Sequence, residues 1–302
     1  MERHVWWKYP TRKDPLGRRE TVLTATREMM QTIQHRYYVP NNAVLIVTGD
    51  VSAAETFALA DRLYADWPRG EDPFVKFPLV KHPPLPHSEI VVIEQPVGTM
   101  VGVFVWHGPS VVGDDVAATY AADVLGTALS EPSSRFQKDL VDSGACVSAS
   151  LGWYTQASTG PIQLSFEASP DKIDACVQAV NNELPHLRDA AYLTEQELSE
   201  AAHRLAVSLL SGRESSEGLA HDLSFFWATA GLDYDAHYVE NTQRVRPADI
   251  ARYVDRYMLG HPFVFGAMVS PELRKQGFDQ AHFEKLLAVE HHPSAADQQV
   301  SR

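Results

Sequence analysis

The chain has 302 residues, 44% apolar and 22% charged, a globular composition that excludes wholesale disorder, collagen and coiled coil. At roughly 100–200 residues per domain the length suggests two domains or one large one, big enough to hold a core without disulfides or metal. Acidic residues outnumber basic ones 39 to 26, a net charge of −13, which argues against nucleic acid and anionic membrane as partners, since both call for a cationic face.

The first ten residues, with Val5, Trp6 and Trp7 among charged neighbours, lack the apolar central run of a signal peptide. No apolar stretch of about 18 residues exists to span a membrane. Bacterial cytoplasm and periplasm both stay open. Trp6 and Trp7 call for a cover that this chain is not expected to supply. Met29, Met30, Ile33 and Tyr37 fall at helical spacing, with Thr24 or Thr26 as cap and Pro40 as stop. Residues 43–48, Ala-Val-Leu-Ile-Val-Thr, are continuously apolar and read as a buried strand before the Gly49-Asp50 turn. Ser52 and Glu55 form a capping box that opens a helix to about Ala65.

Between 68 and 88 six prolines crowd together, at 68, 73, 78, 83, 84 and 86. That density predicts a stiff extended connector without regular structure, and places a domain boundary near residue 85. Beyond it, Ile90–Ile93 and Met100–Trp106 read as strands, and helices are expected over about 115–129 and 134–141. Cys146–Tyr154 and Ile162–Ala168 read as a strand pair. Helices then follow at 171–187, 194–210, 216–230 and 247–258, with a capping box at Thr194/Glu197 and Pro247 as a helix-opening residue. Phe263–Val269 reads as a closing strand, and a polar tail starts near His291. Strands in adjacent pairs and helices in runs predict an α+β fold with a mostly antiparallel sheet and helices layered on it. The helix, strand, Gly, helix order of 24–65 is loosely echoed over 247–285, as two related domains would give, one of them incomplete at its start.

Motif chemistry is sparse. No His-Glu-x-x-His, its inverse, Gly-x-Ser-x-Gly, phosphate-loop or dinucleotide-loop pattern occurs. His82 and His87 stand five apart in the proline-rich stretch. His203 and His221 read as helix-surface or satisfied buried residues, and Glu290-His291-His292 as a tail trio that would hold metal only adventitiously. Cys146 and Cys176, the two cysteines, give no disulfide framework and no zinc site. Cys146 reads as a small buried hydrophobe, with nothing nearby in sequence to lower a thiol pKa. Ser134 reads as a helix-start residue. Of the consecutive aromatics Phe225, Phe226 and Trp227, some must face away from a core.

The stretch Arg36-Tyr-Tyr-Val-Pro-Asn-Asn-Ala-Val-Leu-Ile-Val-Thr-Gly-Asp-Val51 resembles the inverzincin zinc peptidases, the family of insulinase, pitrilysin and the mitochondrial processing peptidase. Trp7–Gly17, Leu125-Gly126 through Ser134-Arg135-Phe136, and Gly144–Ser150 add supporting matches, so that the likeness spans about residues 5–270. The resemblance implies helices layered on antiparallel sheets, two such domains to a half, and two halves closing as a clamshell around an unfolded peptide. It also implies that residues 1–85 are the C-terminal part of a first peptidase-like domain, 86–290 a complete second one and 291–302 a polar tail.

The departures are in the chemistry. The family's zinc-holding His-x-x-Glu-His and downstream Glu precede the matched region, so no metal ligand carries over. Val141 stands near the Arg by which the family binds the scissile carbonyl, and no Tyr follows, so no catalytic or substrate-binding residue is assigned. The expectation is a zinc-protease homologue that holds peptide without zinc of its own, or alternatively a non-enzymatic assembly subunit. Its partners would be unfolded peptide and either a second copy of the chain or a zinc-bearing homologous half.

Overall fold

A computed structural model describes residues 1–8, 17 and 19–292. In chain order the longer elements are helices α1 (Arg27–Tyr37) and α2 (Ala53–Tyr64), strands β1 (Glu89–Glu94) and β2 (Met100–His107), helix α3 (Ala117–Leu129), strands β3 (Ser148–Trp153) and β4 (Pro161–Ala168), helices α4 (Ile173–Glu183), α5 (Glu195–Gly212), α6 (Ser216–Thr229) and α7 (Pro247–Tyr257), and strand β5 (Val264–Val269). The helix starts follow local signals. Thr26 accepts from the Met29 amide at 3.2 Å and Ser52 from the Glu55 amide at 3.4 Å. Thr194 and Glu197 cap each other reciprocally, at 2.8 and 3.2 Å. Pro247 opens α7, where its missing N–H costs nothing.

The chain divides into two compact units, one made of 1–10, 82–207 and 236–302, the other of 11–81 and 208–235. The first unit is built on a five-stranded sheet of order β1-β5-β2-β4-β3. Only β1 and β5 run parallel, and the other three pairings are antiparallel. The α+β, mostly antiparallel expectation holds.

Alternation along the strands divides apolar side chains between two faces. The inner face carries Phe104, Trp106, Leu164, Phe166 and Phe265, all buried together with Leu125, Leu129, Val177, Val180 and Val254 of the helices. Phe104 and Phe265 stand 4.8 Å apart, ring centre to ring centre, and Phe104 and Trp106 5.7 Å, within the range where tilted and offset aromatic pairs attract. Gly126 of α3 runs close over β3; a Cβ there would stand 3.0 Å from the Leu151 carbonyl oxygen.

Part of the outer face is covered by the chain's own beginning. Val5 and Trp6 bury against Leu85, Val105 and Val264, with Met1 and Trp7 packed alongside. Trp6 stacks on His107 at 4.8 Å and 10°. The His107 Nε2–H donates to the Val5 carbonyl at 2.8 Å, and His4 pairs with the buried Glu89 at 2.7 Å. The expectation that Trp6 lacks a cover is therefore corrected. The cover comes from residues 80 to 260 positions away, a distance that local pattern does not span.

A second correction concerns the cysteines. Cys146 and Cys176 form a disulfide, S–S 2.02 Å, that ties the entry of β3 to α4. The expected helix at 134–141 is a single turn, Arg135–Gln137, that widens into a π-helical turn at Lys138–Asp142.

In the second unit residues 43–48 form no strand, which overturns the buried-strand expectation. Val44, Leu45 and Val47 are exposed. The apolar pattern is that of a strand, but a strand needs a ladder partner, and no described residue supplies one. Helices α1 and α2 likewise bury none of their residues. The proline-rich connector is not wholly irregular either. Asp72 caps a turn of helix at Pro73–Lys76, its carboxylate accepting from the Phe74 amide at 2.8 Å. Arg213 holds this unit's end together, donating to Asp222 and to the buried Asp235.

Candidate functional site

Among the described residues no group of three or more His, Cys, Asp or Glu side chains is placed to hold a metal ion. The histidines singled out in the sequence serve other ends. His203 and His221 are exposed on helices. The His82 ring Nε2 accepts from the Lys8 amide at 3.2 Å and its Nδ1–H donates to the Pro83 carbonyl at 2.7 Å, so the ring ties residues 1–8 to the connector. His291 pairs with Glu284 at 2.8 Å, and the His292 ring stands 4.5 Å from that of His87. Burial and, after it, the neighbouring His292 push the His87 pKa down.

In the stretch where the resemblance locates carbonyl-binding residues, the polar side chains are Asp142 and Ser143, both exposed. Leu140 is buried, the Val141 side chain is apolar, and Cys146 is joined in the disulfide. Ser134 caps the Arg135–Gln137 turn as expected, accepting from the Gln137 amide at 3.2 Å. Arg135 bonds Asp139 at 3.1 Å and lies 5.1 Å over the Tyr192 ring. Tyr192 in turn donates to the buried Glu183; burial and then that carboxylate hold its hydroxyl far above the usual tyrosine pKa. This network anchors the end of α4 to the Arg135 turn.

What remains is a surface. Where residues 1–8 do not cover it, the outer face over β4 and β3 presents Ser148, Ser150, Gly152 and Gln163, all exposed, with Ser165 and Glu167 partly so. β3 is an edge strand of the sheet. On its outer side the Gln137 amide donates to the Ala149 carbonyl at 3.0 Å, in place of a further strand. Sequence reading assigned no residue here, because short polar side chains alternating with a core pattern are the ordinary signature of any half-exposed strand. Two further hollows flank the sheet's ends, of about 440 Å³ beside Trp106, Met258 and Phe263 and about 240 Å³ beside His82, His107 and Tyr257.

The architecture is α+β, helices layered on a mostly antiparallel sheet, without a metal-holding cluster among its described residues. The sequence model for the peptidase M16 inactive domain matches residues 24–205, and the chain belongs to that family. No curated protein sequence matches it. Its fold is similar to that of a protease from Helicobacter pylori, at TM-score 0.72 and 19% identity over 84% of this chain and 61% of that one. It is also similar to a peptidase M16 inactive domain from Pseudomonas fluorescens, at 0.71 and 17% over 89% and 63%. The periplasmic protease PqqL of Escherichia coli aligns at 0.55 and 17%, over 74% of this chain and 24% of that one. The chain thus spans about three fifths of the length of the first two.

Proposed function

We propose that this chain is the non-catalytic, peptide-holding half of a clamshell zinc peptidase, working against a zinc-bearing homologous half that supplies the chemistry. In this reading residues 1–85 are the back part of a first peptidase-like domain, 86–290 a complete second one and 291–302 a tail. The observation that carries it is the open outer face of β4 and β3, lined by Ser148, Ser150, Gln163 and Ser165 on a sheet whose other face carries the aromatic core. Short hydroxyl and amide side chains can hydrogen-bond the backbone of an extended peptide without demanding particular side chains from it. That suits the holding of unfolded substrates.

The test combines metal analysis with peptide binding. The purified chain is expected to hold no stoichiometric zinc and to cleave nothing alone. It should bind a fluorescein-labelled unstructured peptide of about 20 residues, and Ser150→Trp with Ser165→Trp should weaken that binding at least tenfold by filling the open face. Chelator-sensitive hydrolysis by the chain alone would sink the proposal. A chain that associates with a zinc-bearing homologue, while its peptide affinity ignores both tryptophans, would favour the alternative of a pure assembly subunit.

A further inference from the structure

Trp106 lies near the end of β2 on the inner face, with 1% of its surface exposed. Its indole N–H has no hydrogen-bond acceptor among the described residues. Native chains pair nearly all such buried donors, because an unpaired one forfeits its water without recompense. The rings packed around it cannot serve. Phe104 and Phe263 stand 5.7 and 6.0 Å away, centre to centre, and neither side chain carries an acceptor atom.

The same residue is one wall of the hollow of about 440 Å³ at the sheet's end. Leu184, Met258, Leu259 and Phe263 add the other apolar walls, and Ser88, Asn181 and His261 the polar groups. Asn181 and His261 are exposed and mark the mouth. No carboxylate, ammonium or guanidinium group is among the described lining residues. The walls are set by backbone. The Met258 and Leu259 amides both donate to the Val254 carbonyl at 3.0 Å, closing α7, and Gly260 follows with a φ of 73° that favours glycine. Leu184 and Pro185 open the 3-10 turn that prolongs α4. Clefts of about 300–1,000 Å³, mostly apolar with a few placed polar groups, are the ones that take small ligands.

We infer that this hollow binds a small neutral molecule with an aromatic ring and a carbonyl, whose oxygen accepts from the Trp106 Nε1–H. Each part of that description answers a feature of the lining. The ligand is neutral because a charge would be desolvated there without a partner. It carries a ring because Phe263 offers an aromatic face and Met258 a thioether. It carries a carbonyl because the indole can only donate. Ser88, whose Oγ accepts from the Phe263 amide at 3.3 Å, can turn its own proton toward the same ligand. The site belongs to the inner side of the sheet, so it is independent of peptide holding on the outer face of β4 and β3, and either can fail alone.

Nuclear magnetic resonance of the full chain with 15N-labelled indoles tests it, the Trp106 resonance being assigned as the one that Trp106→Phe removes. The probes are 3-phenylpropanamide and ethylbenzene, a ring without the carbonyl. The amide should move the Trp106 resonance downfield in a saturable way below about 5 mM, and ethylbenzene should not move it downfield. Trp106→Phe should weaken the amide about tenfold and ethylbenzene less than about twofold, since only the hydrogen bond is lost. Asn181→Trp, an exposed change at the mouth, should weaken both. The ring-and-carbonyl chemistry is shared by a free amide and by an aromatic residue within a peptide. The amide should therefore leave the labelled 20-residue peptide bound, as a small-molecule site requires. Displacement of that peptide, or an amide that binds Trp106→Phe as tightly as wild type, overturns the proposal. So does an indole resonance that the amide leaves unmoved, which would make water the partner of Trp106.

Discussion

Cys146 and Cys176 lie 30 residues apart in sequence and 5.0 Å apart at Cα, joined by a disulfide beneath the surface. One end sits just before β3, the other on the buried side of α4, so the bond clasps the edge of the sheet to a helix. Closing a loop of that length constrains the unfolded chain by about 3–4 kcal/mol in the loop-entropy account. Cys146→Ala with Cys176→Ala is expected to lower the urea stability by roughly that amount. The intact mass under non-reducing conditions should be two hydrogens short of the reduced value, with no thiol open to alkylation. A buried structural disulfide also favours folding in an oxidising compartment. Alkylatable thiols in protein taken directly from its native compartment would contradict that.

Gly102 of β2 lies directly opposite Phe166 of β4, and its missing side chain is the space the ring occupies. A Cβ at Gly102 would stand 2.3 Å from the ring carbons, with Phe166 itself buried beside Phe104 and Phe265. Gly102→Ala must displace an aromatic that has no free volume to enter. The expected cost is about 3 kcal/mol, at the upper end for overpacking a core, read as a shift in the urea midpoint with unchanged slope. Little or no shift would mean that the ring relocates freely, against the close packing of this face.

These two relationships mark the limit of sequence reading in this chain. Strands and helices of residues 89–269 are legible because their partners lie within the chain. The alternation of Ile162, Leu164 and Phe166 and the Thr194/Glu197 box each announce one element, and each element finds its neighbour. Pairings between elements are not legible in the same way. Nothing near Cys146 names Cys176, and nothing near Trp6 names His107. At residues 43–48 the failure has another cause. The composition is that of a strand, yet strand formation is a relation between two segments, and the second is not among the described residues. At Pro73 the proline density outweighed two helix-start signals, an Asp cap and a proline in the first turn, which together make the short helix. The candidate surface stayed invisible for a simpler reason: serines and a glutamine on alternate strand positions carry no motif.

Trp6 anchors residues 1–8 on the outer face of the first unit and is 4% exposed. Its ring is held by His107 in a stack and by His82 edge-on at 5.4 Å. Trp6→Ala removes the largest side chain of that small cluster, and a short segment is expected to detach before the sheet unfolds. Cleavage by chymotrypsin after Trp7 should then become rapid, and the amides around Val105 and Val264 should exchange faster, with the main urea transition nearly unmoved. A large loss of global stability without faster cleavage would instead make residues 1–8 an integral part of the core.

Asp123 on α3 accepts from the Tyr238 hydroxyl at 2.7 Å, and burial raises its pKa to about 6, against the partial opposition of that hydrogen bond. The unfolded chain would titrate this group near 3.8. Below the unfolded value both states hold the proton and the group exerts no penalty. As pH rises from there to about 6 the unfolded state ionises first, so the folded state loses stability, and above about 6 the loss is complete. Asp123→Asn keeps an oxygen for Tyr238 and cannot ionise. Its stability relative to wild type should therefore climb as pH goes from 4 to 7, by on the order of 2 kcal/mol once partial solvent access is allowed for. Urea titrations of both proteins at half-unit pH steps give that difference directly, free of the titrations they share. A difference that stays flat across the interval would show that Asp123 is ionised in the folded protein at pH 4 and that water, not burial, sets its charge.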